Sequence, residues 1–317
     1  MSDPLPAVVA NTDLRWFEHF RPADELRVID EVNFWRPAAQ GEFRALIPGE
    51  PLFFRLKSPI NAIAGFGFLA VQTRLSVAMA WEFFGEKNGD PTQARFEDRI
   101  NGYRRRLNRP VEDPLSCLVL RDAVFLPSSA WRSWQADEGW QRNVVAYKGY
   151  DLTTGPGQLL DSLLRQSHPN AVPDLLPDFT PLESDARLYR EAVSVQREGQ
   201  GTFRLRLLRA YHEQCAVTGE HAVPVLEAAH IQSYLGPASN HPQNGLILRS
   251  DLHRLYDAGY VTVTPDLRLE VSPRLREEYE NGKAYYAMAG RQVRVPSDLR
   301  LAPSRDALLW HAEKVFR

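Results

Sequence analysis

The sequence predicts an α+β protein in two parts. Residues 1–150 are expected to form a curved β-sheet or partial barrel with helices, residues 151–185 a linker, and residues 186–317 a strand–loop–strand–helix unit. Two observations lead to this division. Short runs rich in aromatic and β-branched residues, bounded by Pro and Gly, fill the first part as strands do. Five of the eight histidines lie between residues 212 and 253, in the second part.

The first part alternates predicted strands and helices. Residues 12–30 are expected to hold one or two short helices broken at Pro22. An amphipathic helix is predicted after Ser76, ending at Gly85, because its apolar residues recur at i, i+3, i+4 and i+7. A second helix, from Thr92 to Leu107, is expected to keep its arginines on the outside. Strands are predicted at residues 32–37, 52–57, 63–71 and 116–125.

The second part is predicted from its turn and cap signals. Repeated Pro and Gly residues between 151 and 185 are typical of an interdomain connector. Helical periodicity returns over Ser184–Tyr211, and Pro224–Ile231 is a predicted strand. The extended run Asn244–Arg249 is expected to lead into a helix capped by Ser250 and ended by Gly259.

Composition narrows the class of protein. The net charge of −2 over 317 residues lacks the basic excess of many nucleic-acid binders. Two Arg-rich stretches, 99–109 and 187–209, suit phosphate contacts, although a solvated helix face is the plainer interpretation. Cys117 and Cys215 stand far apart, so no structural zinc is expected. Neither a membrane span nor a signal peptide is predicted, which favours the cytoplasm.

Four segments of the first part, Asn33–Pro37, Pro48–Leu56, Ile63–Gly67 and Ala80–Gly85, together resemble the EVE-type branch of the PUA-like superfamily. The resemblance implies a pocket in which an extruded base stacks on aromatic faces, each stack contributing about 1–3 kcal/mol. The candidate pocket residues are Phe34, Trp35, Lys57, Ser58 and Trp81. For each aromatic residue, plain core packing is the alternative.

A second resemblance covers residues 190 to 275. His230 at a strand end, Asn244 fourteen residues later and His253 at a helix start, within Leu226–Ile231, Asn244–Leu248 and Leu252–Gly259, resemble the ββα-metal (HNH) nucleases. Phosphodiester hydrolysis requires a base that titrates near neutrality, and His230 is the candidate. The resemblance implies that Asn244 braces the loop, although Asn-Gly is also a common turn pair. It also implies that His253 binds a divalent metal, Mg²⁺ or Mn²⁺.

One residue departs from the HNH pattern. Many such enzymes carry Asp or His immediately before the base, where this chain has Ala229. Glu227 lies on the same face of the strand as position 229 and is the first choice for the second metal ligand. Asp257, four residues after His253 on the helix, is the other.

Together the two resemblances imply an endonuclease that cuts double-stranded DNA near a modified base, most plausibly a modified cytosine, as in restriction of phage DNA. A duplex cut suggests a homodimer. Two alternatives stay open: a DNA or RNA nuclease of low specificity, and a modified-base binding protein whose nuclease half has degraded.

Overall fold

The computed structural model of the chain describes residues 5–21, 23–37, 43–141, 144, 146–167, 178–183 and 199–317, and the backbone of 188–189 and 195–196. The chain divides after Asp174 into two units.

A mixed seven-stranded sheet forms the first unit. Its strands are β1 (Pro6–Thr12), β2 (Arg27–Arg36), β3 (Pro51–Leu56), β4 (Ala62–Leu75), β5 (Leu115–Phe125), β6 (Arg132–Ser133) and β7 (Tyr147–Asp151). Their order is β2-β5-β4-β3-β1-β7, with β6 paired to β4. Only the β1–β3 pair is parallel among these strands. Register shifts between β3 and β4 and between β4 and β5 introduce bulges, which bend a sheet, so the curved sheet is confirmed.

The helices of the first unit are α1 (Leu14–Phe20), α2 (Val77–Phe84), α3 (Gln93–Arg106) and α4 (Gly157–Ser167). Helix α2 follows Ser76, whose side chain accepts from the Met79 amide, and Gly85 ends it with φ 48°. Thr92 caps α3 in the same way through the Arg95 amide. Both helices therefore begin and end where the sequence predicted.

Residues 12–30 hold one helix, α1, which ends before Pro22 as predicted, and residues 27–30 already belong to β2. One expectation for this unit was wrong, because the arginines of α3 are not all outside. Arg104 is 1% exposed and donates to the carbonyl oxygens of Pro37, Val111 and Asp113, which compensates its burial.

Apolar clusters cover both faces of the sheet. Val8 and Ala10 of β1 belong to one cluster, with Trp16 and Phe17 of α1. The second cluster contains Ala7, Val9, Phe53, Trp134, Leu160 and Leu163. Leu160 and Leu163 come from α4, so this helix, which lies within the expected linker, packs on the sheet of the first unit. The functional domain limits stay a prediction.

The second unit is built on a hairpin followed by a helix. Its strands are β8 (Leu188–Tyr189), β9 (Val195–Gln196), β10 (Leu226–His230), β11 (Gly245–Arg249), β12 (Val261–Val263) and β13 (Leu269–Val271). Its helices are α5 (Gln200–Ala210), α6 (Ser250–Asp257), α7 (Arg274–Tyr279), α8 (Lys283–Tyr286) and α9 (Arg305–Lys314). Strands β10 and β11 pair antiparallel, and α6 follows β11 directly. The predicted ββα order and the α+β fold class are confirmed.

Two local expectations in the second unit need correction. Helix α5 begins only at Gln200, and β8 and β9 pair as strands within the stretch expected to be helical; the rest of residues 184–198 lies outside the described residues. Ser250 is the first residue of α6 rather than its cap. Arg249 occupies the cap position and binds the carboxylate of Asp251 through two hydrogen bonds of 2.7 and 2.8 Å. In the part of the chain with assigned structure, no helix is long and apolar enough to cross a membrane.

The packing of α4 on the first unit is testable with neighbouring leucines. Leu160 is 1% exposed and Leu159 is 59% exposed. We expect Leu160→Ala to lower the free energy of unfolding of the first unit by about 2–5 kcal/mol, and Leu159→Ala to change it by less than about 0.5 kcal/mol. Urea unfolding followed by tryptophan fluorescence measures both, since six of the seven tryptophans lie in this unit. Equal effects would show that α4 does not pack there.

Candidate active site

The β10–β11 hairpin fixes the two ends of the loop that contains the first candidate residues. His230 is the last residue of β10 and pairs with Gly245, the first residue of β11. Asn244 comes immediately before that strand, at the end of the 3₁₀ helix Pro242–Asn244. Because the two residues sit at the same end of the hairpin, the loop between them leaves and returns at one point.

Asn244 holds this loop with a fully buried side chain. Its Oδ1 accepts from the backbone N–H of Gln232 at 2.8 Å, and its Nδ2 donates to the carbonyl oxygens of Gln232 and Ser239, both at 3.0 Å. The side chain is 0% exposed, so each bond is protected from water. These contacts are those of a loop brace, the role predicted for Asn244.

Gly245 is not the second residue of a tight turn, the alternative interpretation of the Asn-Gly pair. Its φ of −141° and ψ of 149° are extended. A Cβ at this position would overlap Leu207 and lie 2.8 Å from the ring of Phe203, both on α5. Glycine is therefore required by close packing rather than by a left-handed backbone.

His230 is held by its ring contacts. The imidazole stacks on Phe203, with centroids 4.2 Å apart and planes 13° from parallel, and Tyr234 meets it edge-on at 5.9 Å. Its Nε2 lies 3.0 Å from Oδ1 of Asn240. Phe203 is buried and orients the imidazole, whereas His230 itself is only partly buried and remains accessible to solvent.

His253, on α6, lies between two carboxylates. Its Nδ1 is 2.6 Å from Glu227 Oε2, and its Nε2 is 3.4 Å from Asp257 Oδ2. Glu227 comes from β10 and Asp257 from the last turn of α6, so the structure brings together the histidine and both candidates for the second ligand. Ala229, which replaces the expected ligand, is 0% exposed.

The donor chemistry of these three residues suits a hard divalent ion. Carboxylate oxygens with one imidazole are ligands that Mn²⁺ and Mg²⁺ accept. The arrangement is nevertheless a hydrogen-bonded pair with a neighbouring carboxylate, and among the described residues no group of three or more His, Cys, Asp or Glu is arranged as a metal site. The residues fit such an ion in chemistry and charge.

A neutral histidine of α9, His311, packs against helix α6. His311 of α9 stacks on Tyr256 at 3.7 Å, and its ring nitrogens contact Thr262 Oγ1 at 2.8 Å and the Tyr256 carbonyl oxygen at 3.2 Å. Burial lowers the pKa of His311 to about 4. This histidine is therefore a packing residue rather than part of the candidate site.

Sequence reasoning missed two glutamines that hold the loop to residues 178–183. The side-chain oxygen of Gln232 accepts a hydrogen bond from the Leu182 amide at 2.7 Å, and its side-chain nitrogen donates to the Leu182 carbonyl oxygen at 3.0 Å. The side-chain oxygen of Gln243 accepts from the Phe179 amide at 2.6 Å. Both glutamines flank the motif residues, yet a glutamine in a loop carries no signal of this kind in sequence.

In the first unit, three of the five candidate pocket residues meet. A cavity of about 130 Å³ is lined by Asp13, Trp16, Phe34, Trp35, Arg36, Pro37, Lys57 and Tyr103. Ser58 and Trp81 are not among the lining residues. Trp81 instead packs against Phe96 of α3, with ring centroids 6.0 Å apart, which is the core-packing alternative.

Asp13 and Tyr103, which the sequence did not single out, also line this cavity. Tyr103 donates to Asp13, whose other oxygen caps α1 through the Arg15 and Trp16 amides. Burial alone would raise the pKa of Asp13, but the bonds from Tyr103 and from the Trp16 and Arg15 amides, with the charge of Arg99, together leave that pKa below its ordinary value. Burial and the bond to Asp13 raise the pKa of Tyr103 to about 12. At neutral pH the cavity therefore contains an ionised carboxylate.

Cations surround the same cavity. Arg36 and Lys57 line it, and the guanidinium of Arg106 lies 4.5 Å from the ring centre of Tyr103. A cavity with aromatic walls, one acceptor carboxylate and a cationic rim matches the chemistry of a nucleotide, whose base is planar and whose phosphate is anionic.

Residues 215–264 match the family model described as HNH endonuclease. This stretch contains β10, β11 and α6 with Glu227, His230, Asn244, His253 and Asp257. The match confirms the HNH resemblance there, and the chain carries an HNH endonuclease domain. No curated protein matches the chain.

Solved structures add looser likenesses. ASCH from Zymomonas mobilis is 14% identical, with 50% of this chain aligned to 94% of that chain at a TM-score of 0.32. A point mutant of the same protein is 13% identical, with 51% and 99% aligned and a TM-score of 0.34. The modification-dependent TagI restriction endonuclease is 20% identical, with 39% and 41% aligned and a TM-score of 0.28. None of these likenesses bears on function.

The brace is testable by removing the Asn244 amide. Asn244→Ala leaves buried backbone groups of Gln232 and Ser239 without partners, each costing about 1–3 kcal/mol. We expect a less stable second unit and faster hydrogen exchange at the Gln232 amide, measured by NMR. Asn281→Ala, at an exposed position, is the control and should change neither. An unchanged Gln232 exchange rate would contradict the brace.

Proposed function

We propose that this protein is a metal-dependent HNH endonuclease that hydrolyses phosphodiester bonds of double-stranded DNA near a modified cytosine. The observation that carries the nuclease assignment is the ββα segment matched by the HNH endonuclease model, in which a partly exposed His230 and a carboxylate-flanked His253 stand on one hairpin and its helix. Restriction of modified phage DNA in the cytoplasm is the corresponding biological role.

His230 is the general base in this proposal. It takes a proton from water, and the resulting hydroxide forms a bond to phosphorus. The bond from phosphorus to the leaving oxygen breaks, and that oxygen keeps the electron pair and takes a proton from solvent. A neutral imidazole is suited to this because its ordinary pKa, about 6.5, lies near the working pH. The stack on Phe203 orients the ring without enclosing it.

His253 and Asp257 would hold the metal, with Glu227 supporting His253. At 2.6 Å from Nδ1, Glu227 accepts the Nδ1–H of a neutral His253, which leaves the lone pair on Nε2. Asp257 faces that nitrogen, and two electron-rich atoms facing each other favour a cation. Ligand histidines commonly donate their other N–H to a carboxylate in this way. When bound, Mg²⁺ or Mn²⁺ supplies charge neutralisation at the phosphate. The geometry thus favours Asp257 as direct ligand, whereas the sequence had favoured Glu227.

The first unit is the reader in this proposal. Phe34, Trp35 and Tyr103 offer aromatic surface to an extruded base, and the ionised Asp13 offers an acceptor. Carboxylates accept from the exocyclic amine of cytosine, which supports cytosine rather than thymine as the base. Arg36 and Lys57 are placed to contact phosphate. A homodimer, with one site for each strand, is the form that would cut both strands.

Cleavage of matched duplexes tests the proposal. The wild type with Mg²⁺ or Mn²⁺ should cut DNA containing methylated or hydroxymethylated cytosine and spare unmodified DNA of the same sequence. His230→Ala should lose roughly 10²- to 10⁴-fold in rate, the usual contribution of a general base. His212→Ala, at an exposed histidine outside the site, should cut as the wild type does.

Other outcomes of this assay select the alternatives. Equal cleavage of all duplexes, or of RNA, would indicate a nuclease of low specificity. Binding of modified DNA without cleavage would indicate a reader with a degraded nuclease half, for which Ala229 is the argument. His230→Ala cutting at the wild-type rate would refute the base assignment.

The reader is tested separately with Asp13→Asn. Asparagine caps a helix as well as aspartate does, so α1 is kept while the acceptor facing the cavity loses its charge. We expect weaker binding to modified duplexes, measured by fluorescence anisotropy, with the fold retained. Asp98→Asn, exposed on α3, is the control. Wild-type discrimination by Asp13→Asn would remove Asp13 from base recognition.

The metal assignment predicts an order of effects in Mn²⁺ titration calorimetry. Asp257→Asn should reduce Mn²⁺ affinity more than Glu227→Gln, for which a loss of roughly 10- to 100-fold is expected of a residue that acts through the ligand histidine. Asp266→Asn, an exposed carboxylate elsewhere in the unit, should leave affinity unchanged. The reverse order would make Glu227 the direct ligand.

A further inference from the structure

Asn240 contacts the base histidine and lies outside the residues of the HNH pattern. It is the last residue of the 3₁₀ helix Pro237–Asn240, within the loop that separates His230 from Asn244. Its Oδ1 lies 3.0 Å from Nε2 of His230, a hydrogen-bond distance, and both side chains are partly buried.

This contact determines where the neutral imidazole carries its proton. An amide oxygen accepts hydrogen bonds and cannot donate them. The bond to Asn240 therefore places the proton of neutral His230 on Nε2 and the lone pair on Nδ1. A general base acts through its lone pair, so Nδ1 becomes the atom that receives the proton of water.

The surrounding contacts keep the ring in this orientation. The parallel stack on Phe203, at 4.2 Å, restricts the imidazole to one plane, and Tyr234 meets its edge. A half-turn about the Cβ–Cγ bond would keep the imidazole in that plane but would exchange Nε2 with Cε1 and Nδ1 with Cδ2. The hydrogen bond to Asn240 distinguishes between these two orientations, whereas the stack does not.

Asn240 is itself positioned by the brace. Asn244 Nδ2 donates to the carbonyl oxygen of Ser239, the residue before Asn240, and the Ser239 hydroxyl accepts from the Leu235 amide at 2.9 Å. Ser239, on the N-terminal side of Asn240, is thus held by one buried and one partly buried hydrogen bond. The brace reaches His230 through Ser239 and Asn240.

We infer that Asn240 is a positioning residue that selects the Nε2–H tautomer of His230 and so makes Nδ1 the basic atom. The catalytic part of this inference rests on the proposed function of His230 as the base. The tautomer itself does not, since it is a property of the free protein.

The tautomer is measured by ¹⁵N NMR of histidine-labelled protein at a pH where His230 is neutral, because protonated and lone-pair ring nitrogens differ widely in chemical shift. The wild type should show the proton on Nε2. Asn240→Leu, similar in shape but without an acceptor, should show a mixture of tautomers. Asn240→Asp, which keeps the acceptor oxygen, should keep the Nε2–H form. Asn281→Leu, at an exposed position, is the control and should match the wild type.

Single-turnover cleavage of modified DNA supplies the second measurement. Asn240→Leu should lower the rate constant of cleavage by roughly 10- to 100-fold, as loss of an outer hydrogen bond to a catalytic histidine does, with substrate affinity unchanged. Asn240→Asp should retain most of the rate. A wild-type protein with the proton on Nδ1, or an Asn240→Leu variant that keeps the wild-type tautomer, would overturn the inference. An Asn240→Leu variant that cuts at the wild-type rate while His230→Ala is inactive would overturn its catalytic part.

The two measurements separate this inference from the proposed function. If His230→Ala cuts normally while the wild type shows the Nε2–H tautomer, the base assignment fails and Asn240 still sets the tautomer. If His230→Ala is inactive and Asn240→Leu keeps both the tautomer and the rate, the base assignment stands and Asn240 has no part in it.

Discussion

The buried amide of Asn244 is the interaction on which the second unit depends most. Three hydrogen bonds from one side chain fix the loop that leaves β10 after His230 and returns before β11. An amide suits this task because it donates and accepts at once, whereas a carboxylate or a hydrocarbon would leave backbone groups unpaired in the interior. Gln232 and Gln243 also join this loop to residues 178–183, because their side-chain oxygens accept hydrogen bonds from backbone amides of that segment. The hydrogen bonds that stabilise this loop therefore also help to position His230, the proposed base.

The two histidines of the candidate site have different partners, which is why we propose different roles for them. His230 contacts an aromatic face and a neutral amide, which orient its ring. His253 meets two carboxylates, which attract a cation. In the first unit, Asp13 likewise has two partners: one oxygen caps α1, and the other accepts a hydrogen bond from Tyr103, which is one of the contacts that lower its pKa.

The sequence predicted features that depend on local chemistry. Ser76 and Thr92 begin helices because a hydroxyl caps the free amides, and His230, Asn244 and His253 fall on one ββα segment because their spacing is that of the motif. Features that depend on distant partners were not predictable. The burial of Arg104 requires three carbonyl oxygens brought in from other segments, β1 is visible as a strand only beside β3 and β7, and Asn240 resembles any polar loop residue until the loop closes over His230. Ala229 shows the same limit. The sequence shows that the usual ligand is missing at this position, but only the fold shows that Glu227 and Asp257 both lie close to His253.

Chemical rescue tests most directly whether His230 is the general base of an HNH nuclease. His230→Gly leaves space beside Phe203 that a free imidazole can enter. We expect this variant, with Mn²⁺ and modified duplex DNA, to cut roughly 10²- to 10⁴-fold more slowly than the wild type, and added imidazole to restore cleavage in proportion to its concentration. Cleavage by His230→Gly at the wild-type rate without imidazole would contradict that role.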